Sequence, residues 1–158
     1  LKGIMKSDHN FRNYILSRII LTANYAAIPL YAIHAHDKLD FHISEAGIFT
    51  ALMVVASGFS SFLSGKIGDR FGHKHAMVIS FLAYLGALIA ALLAETLWHV
   101  YLIFIFMGIG KGGFITSAMS LVYEFAGDND KKIYFALIKF YMRYFHIVHN
   151  DSFKLFVR

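Results

Sequence analysis

Four long stretches of this chain are almost free of charge, and short polar segments separate them. They cover about residues 14–35, 46–64, 76–94 and 100–125. A helix rises about 1.5 Å per residue and needs about 20 residues to cross a hydrocarbon core of about 30 Å. Each stretch meets that length. The segment Gly65–His75 between the second and third stretches is short, basic and punctuated by glycine. Two spanning helices joined at one membrane surface produce this pattern.

The polar segments divide the rest of the chain. Residues 1–14 form a lead-in with Lys2, Lys6 and Arg12 against Asp8 alone. Residues 34–45 are more acidic, with Asp37, Asp40 and Glu45 against Lys38. The tail is apolar and aromatic but broken by Lys139, Arg143, His146 and His149, a pattern better suited to an interfacial helix than to a fifth span. The prediction is an all-α polytopic membrane protein. It has a basic lead-in at 1–14, a four-helix transmembrane domain at 15–126, and a turn with an amphipathic tail at 127–158.

Charge adds an orientation. Lys and Arg number three in the lead-in, three in the 66–75 joint and two in the 127–132 turn, whereas the loops at 34–45 and 95–99 hold one. The excess of cations marks the cytoplasmic side. The expectation is a multi-pass cell-membrane protein with both ends in the cytoplasm.

Composition agrees with lipid as the solvent. Of 158 residues, 58% are hydrophobic and 16% charged, against about 45–50% and about 25% in a soluble domain. The net charge of +5 does not point to nucleic acid, because the basic residues lie between apolar runs and form no stripe. There is no cysteine, which excludes disulfides and thiolate metal sites. His34, His36 and His42 lack paired-ligand spacing, so neither a metal nor another cofactor is expected. No pair of carboxylates and no serine–histidine–acid set converges on one helix face, which argues against an enzyme.

Several residues within the apolar runs are candidates for a role. Asn24 falls mid-span, where it either bonds a neighbouring helix or lines a pathway; Arg18 lies near a span end and Pro29 kinks the first run. Ser57, Ser61 and Gly65, and likewise Ser60, Ser64 and Gly68, recur at four-residue spacing and form small rows for close helix packing. Gly108-Ile109-Gly110-Lys111-Gly112-Gly113 satisfies Gly-x-Gly-x-x-Gly in letters. A dinucleotide site needs a preceding strand, and here an apolar run of helical length precedes it. The better reading is a helix-packing Gly-x-x-x-Gly formed by Gly108 and Gly112. Lys111 falls near mid-membrane, at a cost of about 2.5–3.5 kcal/mol. It faces a wet cavity, a carboxylate or a substrate anion, or else it pairs structurally or snorkels along a tilted helix.

Gly65-x-x-x-Asp69-Arg70-x-Gly72-x-Lys74 resembles the signature loop of the major facilitator superfamily, which joins the second and third helices of those transporters and, more weakly, the eighth and ninth. Gly108-x-Gly110, Glu124 and Asp130-Lys131-Lys132 resemble the fourth or tenth helix and the loop after it. His73 and His75 stand where the family usually has basic residues, and Phe104 stands where drug-exporting members have Arg. The resemblance implies a cytoplasmic gate motif at Gly65, Asp69, Arg70, Gly72 and Lys74, in which Gly65 packs a helix end and Asp69 sits at a helix N-terminus. It also implies transport of a small solute by alternating access, with the substrate between two halves. Asn24 and Lys111 would then lie on the substrate or ion pathway. Members have about twelve helices, so the chain is expected to be a fragment of a transporter, inactive alone, whose partners are the bilayer, an unspecified small molecule and the remaining half. Its Leu1 start and irregular tail prompt the same expectation. The alternative is a small helical membrane protein that acts as an assembly partner.

Overall fold

A computed structural model describes residues 9–19, 33, 43–127 and 130–156, and the regular structure among them is helical. Helix α1 covers residues 9–19. It is followed by α2 (Ile43–Phe71), α3 (His73–Leu92), α4 (Leu97–Ala126) and α5 (Lys131–Phe156). Among the described residues, three segments are long and apolar enough to cross a membrane: Glu45–Phe71, His73–Leu92 and Leu97–Ala126. Most of the first predicted span, with Asn24 and Pro29, and the loop histidines His34, His36 and His42 lie outside the described residues.

The helices run past the apolar stretches that announce them. The apolar run predicts an end of α2 near Ser64, but the helix continues to Phe71, so the joint is a charged helix tip rather than a hairpin. Twenty-nine residues make about 43 Å of helix, against about 30 Å of hydrocarbon. Lipid therefore needs only part of α2 to be apolar, and Gly68 alone between Lys66 and Phe71 is too weak a breaker to end the helix. The break falls at Gly72, whose φ of 90° and ψ of 142° lie where only glycine sits without strain. Its N–H donates to the Gly68 carbonyl at 2.8 Å, and its own carbonyl accepts from His75 N–H at 3.1 Å.

The chain divides into two compact units, Ile28–Leu121 and a second made of Leu1–Ala27 with Val122–Arg158. In the first, α2 and α4 run parallel, since Glu45 meets Tyr101, Met53 meets Gly108 and Ser57 meets Gly112. Phe49 stacks on Phe104 with ring centroids 5.1 Å apart, beside the buried Val100. Ala87, Ala91, Ala94, Ile103 and Met107 form the second apolar cluster, where alanines let α3 approach α4. Outside these contacts α2 is apolar and open: Val54, Val55, Phe59 and Phe62 are exposed, as a lipid-facing helix surface should be.

In the second unit an aromatic group gathers around the fully buried Phe11. Its ring lies 4.8 Å from that of Tyr134 and 6.0 Å from that of Phe125, in edge-on contacts. Tyr14 joins at 5.5 Å from Phe125 and accepts a hydrogen bond from Arg18 at 2.8 Å. Along α5, Tyr134, Leu137 and Ile138 are buried, while Lys131, Lys132, Lys139 and Arg143 are exposed. The element is amphipathic, unlike α2 to α4.

Candidate functional site

The joint is built from the last two turns of α2, Gly72 and the first turn of α3. Asp69 lies in the last turn of α2, and not at a helix N-terminus as its motif position suggests. Its carboxylate is exposed and stands 3.9 Å from His73 Nε2, across the break. His73 is largely covered, and its Nδ1 is buried with no hydrogen-bond partner among the described residues. The ring lies against the Cα of Gly68, where an added Cβ would run into it. Gly68 therefore seats His73, and His73 meets Asp69.

The cations of the joint are held differently. Lys66 Nζ lies 4.5 Å above the Phe62 ring, and the Arg70 guanidinium lies 5.2 Å from the Phe71 centroid. Arg70 and Lys74 are exposed and make no ion pair among the described residues. His75 Nδ1 lies 2.6 Å from the Phe71 carbonyl, so it donates there and caps the end of α2. Gly65 has nothing within 4 Å of where its Cβ would be. The joint thus presents Asp69, Arg70 and Lys74 to the surroundings from a backbone fixed by Gly72.

A second group of residues lies along α4. Gly108 and Gly112 bring that helix against the backbone of α2: a Cβ at Gly108 would collide with Met53, and one at Gly112 would lie 2.7 Å from the Ser57 carbonyl carbon. Ser61 Oγ donates to the Gly112 carbonyl at 3.1 Å, and Ser60 Oγ donates to the Ile109 carbonyl at 2.7 Å. These hydroxyls bond across helices where water would be scarce. Gly110 faces Tyr84 of α3. Gly113 is enclosed by the hydroxyls of Ser60, Ser64 and Ser80, all three buried. Ser117, one turn on, is buried, and its hydroxyl has no hydrogen-bond partner among the described residues.

Lys111 is half-buried in the middle of α4 and makes no hydrogen bond or ion pair among the described residues. The six-residue glycine run around it is continuous helix with no strand before it, so the structure has no nucleotide-binding turn at this place. Joint and lysine are separate places on the same unit, and Asn24 lies outside the described residues.

Three contacts escaped sequence reasoning. Tyr101 Oη donates to Glu45 Oε2 at 2.8 Å and ties α2 to α4 at the end away from the joint. Glu45 reads as loop by composition but belongs to the first turn of α2, where a carboxylate is favoured. The seating of His73 on Gly68 and the serine group around Gly113 are the other two. Their one signal was the four-residue recurrence of Ser60, Ser64 and Gly68.

The family model described as Major Facilitator Superfamily matches residues 14–141. Over 110 residues the chain is 22% identical to YhjO of Bacillus subtilis (strain 168), an uncharacterized MFS-type transporter. The matched region is 70% of this chain and 27% of that relative. No solved structure matches the chain.

Proposed function

Because the chain belongs to the major facilitator superfamily, whose members are membrane transporters and not enzymes, we propose that its helices take part in moving a small solute across a membrane by alternating access. The spans would be those of residues 15–126, with the lead-in and the 127–158 tail on the cytoplasmic side of the cell membrane. The joint between α2 and α3 would act as a gate latch on that side. Asp69, Arg70 and Lys74 would hold a neighbouring element when the cytoplasmic side is closed and release it when the helices rock. The solute pathway would run past Lys111, with Asn24 contributing from the first span. The further parts of such a transporter would come from elsewhere, so this chain would not transport alone.

One observation supports the latch above the others. Three charged side chains are exposed on a joint whose backbone is dictated by a glycine at φ 90°. Two of them have no ionic partner on the described residues. A rigid presentation of unpaired charge suits docking better than local stability, since exposed charges contribute little to folding.

Two measurements test the proposal. Proteoliposomes holding the 158-residue chain alone are expected to show no saturable uptake, and saturable uptake would overturn the fragment reading. In a polypeptide where these helices do support uptake, Asp69→Asn is expected to slow it by about tenfold, or about 1.4 kcal/mol of barrier. Unchanged uptake would remove the latch.

A further inference from the structure

Lys111 is the fifteenth of the thirty residues of α4. Around it on the same helix face lie Phe104, Met107, Phe114 and Ala118, which are 6%, 1%, 5% and 1% exposed. The glycines meet the neighbouring helices: Gly108 and Gly112 meet α2, Gly110 meets α3, and Gly113 meets both. At about 100° per residue, Lys111 shares a face with Phe104, which stacks on Phe49 of α2, and with Phe114, which meets Phe81 of α3. The other basic residues of α2 to α4, namely Lys66, Arg70, His73, Lys74, His75 and His99, lie near helix ends. Lys111 alone is central.

Among the described residues no carboxylate pairs with it. The sequence has no Asp or Glu between Asp8 and Asp37, between Glu45 and Asp69, between Asp69 and Glu95, or between Glu95 and Glu124. Along α4, Glu124 is thirteen residues away, or about 20 Å of helix. A central cation is costly to bury, and the cost falls when an anion or water reaches it. In a medium of low dielectric, one fixed positive charge among neutral groups attracts anions and repels cations strongly.

We propose, building on the transport reading above, that Lys111 is an anion-binding point and that the pathway through these helices takes small anionic solutes bearing a carboxylate or phosphate group. The anion supplies the counter-charge that the described residues do not, and it binds by its charge at the middle of the membrane.

The test is acylation of lysine amines on the purified full chain in nanodiscs, read residue by residue by mass spectrometry. The probes are succinate, benzoate and inorganic phosphate at constant ionic strength, with glucose and choline as neutral and cationic comparisons. At least one of the three anions is expected to slow acylation of Lys111 about tenfold at about ten times its dissociation constant. Lys66, Lys74 and Lys131 should be unaffected. The same anion should raise the thermal midpoint of the unaltered chain and of Lys111→Arg, but not of Lys111→Gln. Acylation of Lys111 that no anion slows, or that glucose or choline slows equally, overturns the proposal. So does a thermal shift that persists in Lys111→Gln. Protection by an anion that no polypeptide carrying these helices transports leaves the binding point standing and removes the transport reading. Uptake of a neutral solute that is indifferent to Lys111→Gln does the reverse.

Discussion

Single glycines set the spacing of the first unit, and they are not equivalent. Gly112 has the backbone of Ser57 where its Cβ would be, whereas Gly58 has nothing within 4 Å. Gly112→Ala must push α4 away from α2 and strain the Ser61 hydrogen bond. Overpacking of this kind costs about 1–3 kcal/mol. Gly58→Ala adds a methyl to open space on an exposed helix face and removes glycine's penalty of about 0.5–1 kcal/mol in a helix. Thermal unfolding in detergent is therefore expected to fall for Gly112→Ala and to hold or rise for Gly58→Ala. The Gly-x-x-x-Gly spacing of residues 108 and 112 was legible in the sequence. The open surroundings of Gly58 were not, because a glycine carries no record of what lies opposite.

Helices α2 and α4 form the pair on which the first unit is built. Small residues bring them close along their middle, and at the end away from the joint Tyr101 and Glu45 close the contact through one hydrogen bond. Tyr101 also meets Phe49 at 5.4 Å, edge-on. Tyr101→Phe keeps that ring contact and deletes the donor to a carboxylate. The expected effect is a small fall in the thermal midpoint, because the bond is to a charged group but reached by solvent. A fall in midpoint with unchanged helical signal in circular dichroism would show it, and an unchanged midpoint would mean that water replaces the tyrosine without cost. Helix extents were legible from apolar runs to within a few residues at α3 and α4. They failed at the end of α2 because Lys66 and Arg70 are good helix formers, and Gly68 and Asp69 weaken a helix without ending it. Hydropathy reports where lipid begins, and a helix ends only where the backbone must turn, here at Gly72.

Across the whole molecule, cations divide unevenly between the two sides of the apolar segments. Lys66, Arg70 and Lys74 lie at one joint, and α3 must cross away from it. If that asymmetry orients the chain, changing all three to Gln weakens the preference for placing the joint in the cytoplasm. Cysteine labelling from outside intact cells, at a position introduced beside Gly72, reads the outcome. The unaltered joint should be protected and the triple variant partly labelled. Equal protection in both would assign orientation to the lead-in and the 127–132 turn instead.

The sequence by itself determined that the chain is helical, that it spans lipid more than once, and that its charged joint resembles a transporter motif. Runs of apolar residues, the scarcity of charge and the motif's spacing are local quantities, and they need no knowledge of neighbours. Only the tertiary structure decided which small residues meet which helix. Only there does His73 seat on Gly68 and reach Asp69, and do three serines enclose Gly113. That Lys111 has no ionic partner among the described residues needed both. The missing carboxylates can be counted along the chain, but the buried face around the lysine depends on how α4 turns its glycines toward α2 and α3. Contacts between helices depend on their rotation and register, and many rotations are compatible with the same apolar run.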